Sequence, residues 1–237
     1  YGQVPDYERL QKLACDNDLP IIEDAAQAIG ATRHGRRAGT FGLTGCFSFY
    51  PTKNLSALGD AGAIVTNADD VADKLAVMRN HGMEPRYYHQ FVGGNFRLDA
   101  IQCAALRIKL RHIDAWNAAR KFAAQRYATL FQGAGLTDRI TLPTDTTDGG
   151  HVWHQYVIRT DRRDDLAAHL QSKQIGCAIF YPLGLHEQAC FKNLGYQRGD
   201  FPKTEAAADQ VLALPMFAEI TPNQQAEVVD AVASFFA

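Results

Sequence analysis

Short apolar runs alternate with stretches of helical spacing along this 237-residue chain. Residues 20–24, 46–50 and 61–66 are brief, rich in Ile, Val and Phe, and bounded by Gly, Pro or Asp, which predicts buried strands. Residues 5–18 carry helical spacing, with Pro5 suited to a first-turn position. Asn67 is expected to cap a helix over 69–81, with Asp69 and Asp70 in its first turn. A long amphipathic stretch, 98–131, places Ile101, Ala105, Ile108, His112 and Trp116 near helical intervals. The polar, Gly- and Thr-rich stretch 133–150 is the expected boundary. Beyond it, 152–159 reads as a strand, 163–173 as a helix, 177–181 as a strand, and the end from about Thr221 as a helix. The expected class is α/β: a mostly parallel sheet in a domain of residues 1–135, with a smaller α+β domain of 136–237. Neither an internal repeat nor a low-complexity tract is visible.

The first strand ends in a carboxylate, Asp24, and the second runs into the loop Pro51-Thr52-Lys53. One acid and one amine therefore meet the same edge of a sheet. Taken alone, a lysine is most often a solvated surface group, and an Asp after a strand is most often a turn or cap residue. Together they are what pyridoxal phosphate chemistry needs: an amine that condenses with an aldehyde, and a carboxylate that keeps a pyridine nitrogen protonated.

Composition narrows the classes. With 46% hydrophobic residues and a net charge of -2, the chain can bury a core and has no bulk attraction for nucleic acid. Charges of both signs are interspersed, without a basic run. No apolar stretch reaches membrane-spanning length, and no signal peptide is visible at this N-terminus. Cys15, Cys46, Cys103, Cys177 and Cys190 are scattered and form no CxxC pair, so reduced thiols in a cytoplasmic protein are expected rather than a disulfide frame or zinc site. No G-x-G-x-x-G follows a strand, and G-x-S-x-G is absent. Gly39, Gly42 and Gly45 are expected in close turns. His151 and His154 fall in an expected strand that would point them to opposite faces, which makes a metal site improbable.

The segments IIEDAAQ, SFYPTKN, LGDAGAIVTN and VGGNFRLDAIQ, in that order, resemble the DegT/DnrJ/EryC1/StrS family of sugar-nucleotide aminotransferases. The resemblance continues through FYPLGLHEQACF and GDFPKTEAAADQVLALPMF to the C-terminus. It implies a fold-type I pyridoxal phosphate enzyme. It also implies a further leading third, with a phosphate-binding loop and a stacking aromatic, ahead of Tyr1. The chain is thus expected to be a fragment or truncated product that binds the cofactor weakly by itself, with a non-catalytic remnant as the alternative reading.

By the same resemblance, Lys53 is the cofactor-binding lysine and the acid/base, and Asp24 faces the pyridine nitrogen. Gln27 lies near the ring's phenolic oxygen, and Ser48 reaches the phosphate. Asn95 contributes from the second subunit of a homodimer. Arg97, Tyr181 and His186 lie on the substrate side. Read without the resemblance, Ser48 is a strand serine, Asn95 a turn residue, Arg97 a partner for Asp99 or another acid, and Tyr181 and His186 wedges with polar tips. The implied substrates are a nucleotide-linked keto sugar and an amino-acid donor, expected to be glutamate. Some members with histidine at the lysine position act as dehydratases, so Lys53 points to transamination. Two positions depart from the family pattern: Ala61 stands for a second glycine after Gly59-Asp60, and Gly184 for a proline.

Overall fold

The computed structural model describes residues 1–237, and their contacts divide the chain into two compact units. The first comprises Gly2–Ala118 and Asp145–His154; the second comprises Tyr1, Ala119–Thr144 and Gln155–Ala237. The stretch 133–150, expected as a boundary, contributes to both. The other division falls inside a long helix.

In the first unit, helix α1 (Tyr7–Asp16) is followed by β1 (Ile22–Asp24), the small antiparallel pair β2 (Thr32–Arg33) and β3 (Arg36–Arg37), then β4 (Thr44–Ser48) and β5 (Gly62–Val65). Asp6 caps α1, accepting from the Arg9 N–H at 3.3 Å, so Pro5 lies before the cap and not in the first turn. The main sheet has the order β1-β4-β5. β1 pairs parallel with β4, with Asp24 opposite Cys46, whereas β5 returns antiparallel, with Gly62 opposite Ser48. The expectation of a mostly parallel sheet misses this second pairing. A parallel return needs a crossover, usually a helix, and residues 49–61 form only turns.

Helix α2 (Asp69–Arg79) starts after Ala68, and no side chain caps it; Thr66 Oγ1 accepts the Ala68 N–H instead of Asn67 serving as cap. Helices α3 (Ala100–Lys109) and α4 (Ile113–Gly133) are joined by a 3₁₀ turn at Leu110–His112. The buried stripe across this junction is Leu106 and Ile113, which pack with Leu55 and Ala57. Ile101 and Ile108, expected on that stripe, are 74% and 62% exposed. Trp116, from the same expected set, does pack against this cluster, so the helical period was legible and its phase only in part.

The second unit contains the C-terminal part of α4, β6 (Tyr156–Arg159), α5 (Arg163–Ser172), α6 (Pro202–Gln210), β7 (Val211–Leu214) and α7 (Pro222–Phe236). β6 and β7 pair antiparallel. The strand expected at 177–181 is reduced to a single bridge, Ala178 to Ala213. Pro182 follows directly and removes the next ladder donor. The strand expected from 152 begins only at Tyr156. Tyr127, Phe131, Tyr156, Ile158, Leu166, Leu170, Leu212 and Val232 fill the core. Thr221 and Gln224 form a reciprocal capping box at the start of α7, with Pro222 at its first position.

Candidate active site

Strand alternation sends the two acids of β1 to opposite faces. Glu23 turns inward and is 2% exposed. Its Oε2 accepts the Gly39 N–H at 2.8 Å, and its Oε1 accepts the Gly42 N–H at 2.8 Å and also that of Phe41. The Tyr7 hydroxyl is hydrogen-bonded to the same carboxylate; burial first, then this negative charge, pushes Tyr7 above the usual phenol range. Three backbone donors turned on one carboxylate require a tight loop. Gly39 adopts a φ of +89°, and a Cβ at Gly45 would lie 2.4 Å from Gly39 Cα. The glycines at 39, 42 and 45 thus build the loop around Glu23, a residue that the motif reading passed over. Three glycines at even spacing close to a strand carboxylate were the available signal.

Asp24 turns the other way. Its Oδ1 accepts the Ala26 N–H at 3.1 Å, which bends the chain into the turn holding half-buried Gln27. The ladder continues one residue beyond β1, where the Ala25 N–H donates to the Cys46 carbonyl at 2.9 Å. Cys46 sits opposite Asp24, and Ser48 lies two residues farther along β4, so Asp24 and Ser48 share one face of the sheet. Ser48 Oγ accepts the Tyr50 N–H at 3.3 Å at the strand exit. A turn then closes with the Lys53 N–H on the Tyr50 carbonyl at 2.9 Å. Asn54 and Leu55, just beyond, are buried and anchor the loop.

Partial burial holds the Lys53 amine below the usual lysine range, while the Asp24 carboxylate pulls it the other way. The two groups feel each other without forming an ion pair. The structure therefore brings Asp24, Ser48 and Lys53 to one sheet edge, with Gln27 in the adjoining turn.

Asn95 and Arg97 form a separate group in the same unit. Asn95 bridges to Asn80, its Oδ1 accepts the Arg97 N–H at 3.4 Å, and the Arg97 guanidinium donates to Asn80 Oδ1 at 2.8 Å. Arg97 pairs with no acid, so the local partner expected at Asp99 is replaced by an amide. Arg97, Arg86, Tyr87, His81 and Asn80 line a surface hollow.

Tyr181 and His186 belong to the second unit. Tyr181 is exposed, whereas the His186 side chain is buried with Nε2 3.0 Å from Glu205 Oε1. Burial would raise the Glu205 carboxyl, but the N–H groups of Gly199 and Phe201, with His186, hold it below the usual range. The expected strand pair of His151 and His154 is also rearranged. Both are buried outside any strand, with the His151 ring stacked on Trp153 at 4.0 Å.

No helix is long and apolar enough to cross a membrane. Among known proteins, the chain is 44% identical to the "pleiotropic regulatory protein" of Geobacillus stearothermophilus, over 100% of this chain and 63% of that one. It is 41% identical to the dTDP-3-amino-3,4,6-trideoxy-alpha-D-glucose transaminase of Streptomyces venezuelae, over 98% of this chain and 60% of the relative. The chain thus spans less than two thirds of the length of these curated relatives. The crystal structure of S. venezuelae DesV in complex with a ketimine intermediate superposes with a TM-score of 0.92 at 40% identity, covering 99% of this chain and 62% of that one. The fold is that of these aminotransferases. Residues 1–233, which carry Asp24, Ser48, Lys53 and Asn95, match the DegT/DnrJ/EryC1/StrS aminotransferase family throughout, and the chain belongs to that family.

Proposed function

We propose that this chain forms the lysine-bearing part of a pyridoxal-phosphate-dependent aminotransferase. In this reading it moves an amino group from an amino acid, glutamate by preference, to a keto group on a nucleotide-linked sugar. The observation that carries the reading is the Lys53 amine, held below its ordinary proton affinity at the same sheet edge as Asp24 and not paired with it. A carboxylate and an amine at one sheet edge with no ion pair between them leave both groups available to a ring cofactor that needs one of each. When bound, the cofactor supplies a carbonyl for amine exchange and an electron-accepting ring.

The protein's own groups divide the remaining work. Lys53 Nζ is suited to gain and lose a proton at the carbon under reaction, because its charged form is already disfavoured. Asp24 has one oxygen on the Ala26 N–H, and its other oxygen would hold the ring nitrogen protonated. Ser48 Oγ, on the same face, would be the hydroxyl available for a phosphate, and Gln27, in the turn after Asp24, would flank the ring. Arg97, with no acid of its own, suits a substrate carboxylate or phosphate. Tyr181 and His186 are assigned to the substrate side. The nucleotide-sugar substrate class is supported by the name of the Streptomyces transaminase. The reading includes a cytoplasmic homodimer in which Asn95 serves the partner's site; five free thiols and the separate Asn95–Arg97 group are consistent with it.

Lys53→Ala in the full-length protein should remove the cofactor's visible band and lower turnover by about 10³-fold or more. A variant that keeps a borohydride-reducible cofactor adduct would contradict the assignment, and a full-length wild-type protein without the band would favour a non-catalytic chain. Mixing Lys53→Ala with Asn95→Ala chains should restore part of the activity, since one hybrid site holds both intact residues. No recovery in proven heterodimers would rule out the shared site.

A further inference from the structure

Directly after Lys53, the buried side chain of Asn54 enters a network of amides with half-buried Asn117. Its Nδ2 donates to the Val152 carbonyl at 3.0 Å and to Asn117 Oδ1 at 2.8 Å. Asn117 Nδ2 donates in turn to the Ile29 carbonyl at 3.1 Å. Backbone carbonyls only accept, so both amide orientations are fixed by their partners. Asn54 Oδ1 then faces His154 Nδ1 at 3.0 Å and must accept, which places a proton on that ring nitrogen. Asn54 and His154 are both buried.

The network joins two loops. Ile29 lies five residues beyond Asp24 and two beyond Gln27, while Asn54 is covalently next to Lys53. Asn117, near the start of α4, bridges them. Gly30 gives independent support: it adopts a φ of +83°, and a Cβ there would sit 2.7 Å from Asn117 Nδ2. The backbone beside Ile29 is thus bare where the amide must approach.

We propose that Asn54 and Asn117 are positioning residues that set the separation of Lys53 from Asp24. The proposal rests on the aminotransferase reading above. Neither amide touches the Lys53 amine or the Asp24 carboxylate, so the pair acts through the two loops and not on substrate. A remote change that misplaces reacting groups by about 1 Å costs about 10²-fold in rate. Amides that are mutually satisfied, one buried and one half-buried, hold such a distance, because any shift leaves donors unmet.

The test uses the full-length protein with Asn117→Asp and Asn117→Leu. The first keeps the shape but removes the donor to Ile29; the second keeps similar bulk without hydrogen bonds. Both are expected to fold and bind pyridoxal phosphate, with kcat reduced about 10- to 100-fold and KM for donor and sugar nearly unchanged. The pH midpoint of the cofactor's visible band should move by about half a unit or more, because the charge of Asp24 acts on the lysine amine from an altered distance. Asn117→Ala/Asn54→Ala, which introduces no charge, should cost clearly less than the sum of the two single alanine variants if the two act as one unit. Folded variants with wild-type kcat and an unmoved midpoint would overturn the proposal. So would loss of folding in both, which would assign the network to the core alone. Lys53→Ala, run alongside, separates the two ideas: if it is inactive while the Asn117 variants behave as wild type, only the positioning role fails.

Discussion

Glu23 and Asp24 are neighbours in sequence and opposites in environment. Glu23 is enclosed by a loop that turns three backbone N–H groups onto it, and by the Tyr7 hydroxyl from α1. Asp24 meets one backbone N–H and otherwise faces the edge that carries Lys53. A carboxylate whose lone pairs are satisfied inside the protein holds structure together but has no capacity left for a ligand. One with an uncommitted oxygen near an unpaired amine costs stability and gains chemistry. The period of two in a strand is enough to separate these roles.

The same amide substitution at both positions gives the sharpest contrast. Asp24→Asn should leave the fold intact and lower turnover by about 10²- to 10³-fold, as expected for loss of one preorganised charge at a reacting centre. Steady-state rates and a thermal melt check both halves. Glu23→Gln should do the reverse. Its new N–H₂ faces the N–H of Gly39 or of Phe41 and Gly42, and a buried donor left unmet costs about 1–3 kcal/mol. A loss of about 2–4 kcal/mol in a urea titration is expected, with the cofactor's spectral pH midpoint in the surviving folded protein nearly unchanged. Equal loss of activity in two well-folded variants would erase the distinction.

His151 offers a smaller test, a buried ring met by a single backbone donor. The Trp153 N–H donates to its Nδ1 at 2.9 Å, which requires the neutral ring. Burial lowers its pKa from 6.5 to about 4, against the opposing pull of Asp145. The folded pKa is depressed, so the stability contribution is complete above pH 6.5 and is lost as pH falls toward 4. The unfolded ring takes up a proton over that window and the folded ring does not. At about 1.4 kcal/mol per pH unit the loss reaches about 3 kcal/mol. Urea midpoints for wild type and His151→Phe should therefore converge or cross between pH 7 and 4, with the variant less sensitive to acid. Parallel pH profiles would show that His151 does not drive the acid sensitivity.

The sequence by itself determined the elements that depend on local chemistry. The apolar runs marked β1, β4 and β5, and helical spacing from about Thr221 marked α7, because strand burial and helix periodicity act within a few residues. It also determined the acid and the amine, since a strand end followed by a turn leaves little choice about where Asp24 and Lys53 emerge. Family resemblance added roles to these residues, and the family match bore out the resemblance itself.

Tertiary structure decided what depends on distant partners. The phase of the buried stripe on α3, with Leu106 inward and Ile101 outward, follows from what Leu55 and Ala57 present to it, and periodicity carries no phase. The antiparallel return of β5 follows from the missing crossover. Nothing local marked Glu23; its place follows from residues 39–42 closing over it. Nothing local marked Asn54 either; its role follows from Asn117, 63 positions away, meeting its amide. Hydrogen bonds over such separations form only after the chain has folded, and no local pattern encodes them.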